Sequence, residues 1–253
     1  YLYSSETSIQ KMGIKLIPQE LSAAAYQFLW NERGTILHAT FIHSGYALGI
    51  ILSVLLTTTM GYVVSRNTYK LKSFYTWVIF IPMIFNGGML AGYVVNTNIL
   101  HLEILSGIDP ALAVSPFNIV SVKPFFKTTI PDSIVESAKI DGAGQLRIFA
   151  QIILPISKPI IATIALFAAF GYWNDWFQAS LYISDKNLQT LQSMLNNIQN
   201  NIEYIANNPY GGLSLQQYKA SMPTESVRMA IAIIIVVPIA CVYPFSRSIL
   251  FQF

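Results

Sequence analysis

Charge is what this chain has least of. Only 11% of its 253 residues are Asp, Glu, Lys or Arg and 53% are hydrophobic, where a soluble domain carries roughly 25% charge. That excludes an ordinary water-soluble enzyme. It also excludes disorder, which needs low hydrophobicity and high net charge. Cysteine is nearly absent, and Cys241, standing alone, can form no internal disulfide. The formal net charge of +3 is small and spread along the chain, so no basic stripe addresses nucleic acid. None of the fourteen glycines is followed by lysine. The chain therefore has no phosphate-cradling Gly-x4-Gly-Lys-Ser/Thr loop, and any ATP is hydrolysed by another subunit. His38 and His43 are five apart, on different helix faces rather than at the i, i+4 spacing of a metal pair, and His101 is distant. No metal site and no Ser/His/Asp nucleophile set is recognisable.

What is present is apolar sequence in long runs. Nothing is charged between Gly34 and Arg66, or between Ser73 and Glu103. A helix crossing ~30 Å of hydrocarbon needs ~20 apolar residues, so each interval holds one span. The expected spans are 36–64, 74–95, 110–122, 159–183 and 229 to the chain end. The third is short and needs a snorkelling Lys123. The fourth opens with Pro159, suited to a first helical turn, and contains one acid, Asp175. In the fifth, Pro238 is the expected kink. The fold class is thus all-α and transmembrane, with about five spans. Residues 1–35 read as a polar external segment and 36–253 as the membrane domain, and a further span is expected ahead of residue 1.

Loop charge orients the set. The connection 65–73 holds Arg66, Lys70 and Lys72 and no acid, which places it in the cytoplasm. Counting spans puts 124–158 on the same side. The connection 96–109 carries Glu103 and Asp109 without Lys or Arg, and falls outside together with 184–226. The latter is too long for a turn and reads as too polar to join a core.

The cytoplasmic loop 131–155 has the most structure in it. Ser133 and Glu136 have capping-box spacing and mark a helix start. Gly142 after Asp141 suits a left-handed end, and Leu146, Phe149, Ile152 and Ile153 make one apolar face of a second helix. Pro155 and Pro159 end that helix and begin the next span. From the residues alone, this is either an amphipathic loop on lipid headgroups or an element that docks in a partner's groove.

Glu136-Ser137-Ala138, then Asp141-Gly142, then nine residues and Ile152-Ile153-Leu154-Pro155 resemble the EAA signature of binding-protein-dependent ABC importer permeases. Ser137 stands in place of the usual alanine. Phe117-Asn118-Ile119, Ile130-Pro131-Asp132-Ser133, Trp173-Asn174-Asp175-Trp176-Phe177 and Pro223-Thr224-Glu225-Ser226 are similar to the maltose-type carbohydrate branch. Phe85-Asn86-Gly87-Gly88 resembles members that handle complex oligosaccharides and uronate-containing sugars. The resemblance covers about 45–253 and departs from the pattern at 98–112. It implies a type I importer permease of six spans in a prokaryotic cell membrane, itself non-catalytic. It also implies a second homologous permease, two ATP-binding subunits that carry ATP and Mg²⁺, and an external solute-binding protein. In the family the EAA loop couples the permease to the ATPase, here through Glu136, Ser137, Ala138, Asp141, Gly142, Ile152, Leu154 and Pro155. The long external loop, with Asn208, Tyr210, Gly211 and Gly212 at its tip, would reach the binding protein.

Trp173, Asn174, Asp175 and Trp176 have two readings. They are an aromatic belt at the outer interface, or they line a sugar path. Trp173 is 14 residues past Pro159, about 21 Å deep at ~1.5 Å per residue. Asn174 and Asp175 are costly at that depth unless they face water or protein. The rival to an importer is an ion-coupled secondary transporter or channel, which needs intramembrane relay residues, and only Asp175 qualifies. Single cysteines at Ser73 and Asn208, with Cys241 removed, are expected to react with an impermeant thiol reagent from opposite sides of the membrane. Labelling from one side alone contradicts the orientation.

Overall fold

A chain this apolar must satisfy its backbone groups within each segment, which favours helices. The computed structural model describes residues 22–31, 33–44, 46–100, 113–183, 188–207 and 224–251, and every regular element among the described residues is helical. In chain order these are α1 (Ala24–Asn31), α2 (Arg33–Ser44), α3 (Tyr46–Ser65), α4 (Lys72–Ile84), α5 (Gly88–Val94, continued by a π-helical turn Val95–Ile99), α6 (Pro116–Thr129), α7 (Asp132–Ile140), α8 (Gln145–Ile156), α9 (Lys158–Trp173), α10 (Phe177–Tyr182), α11 (Leu191–Asn207) and α12 (Thr224–Phe251). They group into two compact units, one of Tyr1–Ser44 with Asn174–Pro244 and one of Gly45–Trp173 with Phe245–Phe253.

The expected spans are recognisable but interrupted. Among the described residues, the helical stretch Arg33–Ser65 is long and apolar enough to cross a membrane, and Gln145–Ile156 with Lys158–Trp173 passes as a pair bent by 83°. Lys72–Ile84 and Met229–Cys241 are shorter apolar helices. The expected span 74–95 is two helices, because Asn86 Oδ1 accepts the Gly88 amide at 2.9 Å in a tight Asx turn and Gly88 takes φ +81°. The third span begins later than expected and runs further. Ser115 caps it, its hydroxyl accepting the Asn118 amide, and Pro116 takes the first helical position. The helix then carries Lys123 and Lys127 inside it and ends at Thr129. The fourth is broken at 174–176, and the fifth is helical through Pro238 and Pro244.

In the unit Gly45–Trp173, α3 is the central helix, with α6 and α9 packed on it and α4 beside α3 and α6. Two glycines set how closely they cross. A Cβ on Gly49 would lie 2.7 Å from the Tyr172 ring, and one on Gly61 would lie 2.3 Å from Val122 Cγ2. Tyr46 stacks near Tyr172 with ring centroids 5.2 Å apart. Val64, Ile79 and Ile119 close the core between α3, α4 and α6.

The other unit corrects the view of 184–226 as too polar for a core. The segment contains the amphipathic α11, packed against α2 and α10, with Leu191, Met194 and Leu195 buried. Spacing of three and four residues puts these three on one face. Thr190 caps the helix by accepting the Ser193 amide at 3.2 Å, and the Ser180 and Ser193 hydroxyls pair at 2.9 Å. The loop tip, with Asn208, Tyr210, Gly211 and Gly212, lies outside the described residues, as do 1–21 of the amino-terminal segment.

Gly61→Ala is expected to destabilise the protein in detergent by about 1–3 kcal/mol through overpacking against Val122, and Val122→Ala should recover part of the loss. Gly171→Ala, where an added Cβ meets nothing within 4 Å, should be close to neutral. A Gly61→Ala protein that melts with wild type contradicts the close α3–α6 crossing.

Candidate functional site

The helix–turn–helix of the loop 131–155 is α7, a reversal at Gly142, and α8. Pro131, at φ −60° and ψ 146°, holds the chain extended, and the helix begins directly after it at Asp132. The Ser133–Glu136 capping box expected from the sequence does not form. Ser133 lies inside the first turn, where its carbonyl accepts the Ser137 hydroxyl at 2.9 Å, and no side chain caps the helix. Glu136 is exposed. At the other end the expectation holds. Gly142 has φ +81°, the Gly142 amide donates to the Lys139 carbonyl at 3.0 Å, and the Ala143 amide donates to Ala138 at 2.9 Å. This paired pattern is the Schellman ending, which calls for a left-handed residue. A Cβ on Gly142 would meet nothing within 4 Å, so backbone conformation, not space, requires glycine here.

The inward face of the loop is fused to the spans. Val135 and Ala138 of α7, with Ile148 and Ile153 of α8, share one buried cluster with Tyr62, Val122, Phe126, Ile130 and Ile164. These last five sit on or directly after α3, α6 and α9. Tyr62 meets the Phe126 ring edge-on at 5.9 Å and Phe149 at 5.7 Å. Ile152 and Phe149 pack against the cluster as partly buried neighbours. Leu146 departs from the expected apolar face and stands 86% exposed. Its spacing to Ile153 assumes a regular helix, whereas Phe149–Ile153 is a π-helical turn, and the extra residue rotates everything before it off that face. Ile140, at the end of α7, is 85% exposed.

The helix ends at Ile156, one residue past Pro155 and close to where it was expected. The bend comes at Ser157, whose buried hydroxyl donates to the Ile153 carbonyl at 2.7 Å. Pro159 then lies in the first turn of α9, as read from the sequence.

Arg66 was legible only as a loop charge, yet it is 7% exposed. Its guanidinium donates to the carbonyls of Phe126 and, at 2.8 Å, of Ile130, to Asp132 Oδ1 at 2.9 Å, and through Nε to the Ser65 hydroxyl at 3.1 Å. It also lies over the Tyr62 ring, 5.3 Å from its centroid. Beside it a cavity of about 840 Å³ opens between the inner half of α3 and the loop, bordered by Met60, Tyr62, Arg66, Glu136, Lys139 and Leu146.

At the far end of α9 the helix stops at Trp173. Trp173 is half-buried, Asn174 and Trp176 are exposed, and Asp175 is buried. Asp175 Oδ1 accepts the Gln178 amide at 3.0 Å, the arrangement that starts α10. Among the described residues no group of three or more His, Cys, Asp and Glu could hold a metal.

Residues 45–252 match the family described as "Binding-protein-dependent transport system inner membrane component". The chain belongs to that family. Protein LplC of Bacillus subtilis (strain 168) is 31% identical over 97% of this chain and 81% of its own length. The Polygalacturonan/rhamnogalacturonan transport system permease protein YtcP of the same organism is 32% identical over 92% of this chain and 80% of its own length. The crystal structure of a bacterial ABC transporter involved in the import of the acidic polysaccharide alginate superposes with a TM-score of 0.79, at 24% identity, over 98% of this chain and 86% of the other. The all-α fold expected from composition is therefore that of a type I ABC importer permease. As an inner membrane component, this permease works in a transport complex with other subunits.

Gly142→Val is expected to strain the loop, since the left-handed backbone costs a β-branched residue of this permease roughly 1–2 kcal/mol. Gly142→Asn, which tolerates that conformation, should behave nearly as wild type. Limited proteolysis in the membrane reads the difference: faster cleavage at 139–146 in the valine variant alone. Equal cleavage of both contradicts the Schellman ending.

Proposed function

We propose that the permease imports carbohydrate, of which uronate-containing oligosaccharides are the first class to try, by alternating access in a prokaryotic cell membrane that it crosses several times. It pairs with a second homologous permease, takes substrate from an external binding protein and docks two ATP-binding subunits on the loop 131–155. ATP and Mg²⁺ reside on those subunits, and this chain contributes no catalytic group. The relative named for polygalacturonan/rhamnogalacturonan transport supports the substrate class.

One observation carries the coupling role. Ile140 and Leu146, 85% and 86% exposed, flank the Gly142 reversal on a loop read as cytoplasmic. Large aliphatic side chains projecting into water on either side of a fixed turn suit an apolar groove on a protein partner. The inward side of the same loop, through Val135 and Ala138, grips the inner ends of α3, α6 and α9. Closure of the ATP-bound subunits would draw the paired loops together and move those helix ends with them, opening the path outward. At the far end, Trp173, Asn174 and Trp176 offer indole faces for sugar rings and an amide for hydroxyls. Asp175 holds the break in the helix from which they project.

The test is uptake of oligogalacturonides into vesicles that hold the permease pair and its ATP-binding subunits, with the binding protein added on the substrate side. Uptake should require ATP and stop with vanadate. Uptake driven by an ion gradient and indifferent to vanadate would favour a secondary transporter. Ile140→Asp and Leu146→Asp should each lower co-purification of the ATP-binding subunit at least about tenfold, as loss of a buried interface anchor does. Trp173→Ala and Asn174→Ala should reduce uptake in fully assembled complexes.

A further inference from the structure

We infer that Arg66 is a positioning residue that makes the loop 131–155 and the inner ends of α3 and α6 move as one body, so that loop displacement is converted into helix displacement. The inference rests on the coupling role proposed above, and deepens it.

The geometry is that of a junction. Arg66 follows directly on α3. Its guanidinium reaches the Phe126 and Ile130 carbonyls at the end of α6, and in the same fork takes Asp132, the first residue of α7. The end of α3 thus meets, on one side chain, the ends of two elements 60 to 66 residues further along the chain. The last carbonyls of a helix have no partner within it and carry the negative end of its dipole. A cation placed there satisfies both, and burial makes loss of its bonds costly. The planar fork matters as much as the charge. Arg66 directs four N–H bonds to four separate acceptors, counting Ser65, where an ammonium offers a single compact point charge on a flexible stem. Apolar packing of Val135 and Ala138 holds α7 against the spans but has no direction of its own. The guanidinium bonds are directional, and they fix the start of α7 against the ends of α3 and α6.

The discriminating quantity is oligogalacturonide transported per ATP hydrolysed, measured per assembled complex in the vesicles described above. Arg66→Lys keeps the charge and loses the fork, and should lower that ratio at least about tenfold, in keeping with the loss of charge-assisted hydrogen bonds from buried carbonyls. Asp132→Asn removes the ion pair and leaves the carbonyl bonds, and should lower the ratio by less. A purely structural role would reduce the amount of assembled complex and leave the ratio per complex unchanged, which overturns the inference. If Arg66→Lys does not assemble, Asp132→Asn decides, because its carboxylate is 49% exposed and its loss spares the core; an unchanged ratio there also overturns the inference. A wild-type complex that shows no ATP-driven uptake refutes the proposed function itself, and the positioning role with it. Wild-type transport with unaltered ratios in both variants refutes the positioning role alone.

Discussion

The packing of α7 and α8 into the cluster formed by the inner ends of α3, α6 and α9 is the constraint on which the rest of this permease depends. Val135, Ala138, Ile148 and Ile153 are buried together with Tyr62, Val122, Phe126 and Ile164, so the loop shares a core with the spans. A solvated loop would bury little, and its ends could move without moving the helices. Here a displacement of α7 away from that core must either carry the helices with it or open a void. Cavities are expensive, on the order of 24 cal/mol per Å³ in well-packed interiors. The close crossing at Gly61, one residue from Tyr62, extends the same argument into the membrane. The α3 and α6 backbones approach so nearly that they behave as one packed pair.

A chain with so little charge spends its polar groups where helices stop. Asn86 makes the turn that divides α4 from α5, Ser115 opens α6, Ser157 takes the bend before α9, Asp175 starts α10 and Thr190 starts α11. In hydrocarbon an unpaired backbone group costs several kcal/mol, so each interruption needs a side chain that accepts or donates in place of the missing helical bond. The breaks are consequently local and sharp. They also explain why, among the described residues, so few helices are both long and apolar enough to span a membrane, although the apolar intervals in the sequence are.

What the sequence disclosed, and what it hid, follows from the range of the interactions. Gly142 and Pro159 constrain their own backbone, so the far end of α7 and the start of α9 were readable in place. The Ser133–Glu136 spacing was misleading because Pro131 fixes the chain two residues earlier, and the helix has already begun when Ser133 is reached. The face of α8 was read in a 3.6-residue period that the π-helical turn interrupts, which moved Leu146 from the core to water. The composition of 184–226 concealed α11, since Thr190, Gln192 and Ser193 are buried beside Leu191 and Leu195 and a residue count takes them for loop. Arg66 was hidden most completely. Its partners Phe126 and Ile130 contribute backbone carbonyls, which no side-chain pattern can reveal, and only Asp132 could have been paired with it by charge.

The division of the loop into two faces also bears on how force can pass through it. Ile140 and Leu146 face outward on either side of a reversal that Gly142 holds by backbone conformation, while Val135 and Ala138 face the spans. Along another side runs the cavity of about 840 Å³ bordered by Glu136 and Lys139, so α7 is gripped along one edge and at its first turn rather than all round. A helix of nine residues is about 14 Å long at ~1.5 Å per residue, short enough to act as a rigid rod. A rod held at one end by directional bonds to Arg66 and along one edge by apolar packing resists translation along its axis and away from the core. It meets little resistance toward the cavity. Under the coupling role proposed above, that grip passes on to the helices a pull along the α7 axis or away from the core.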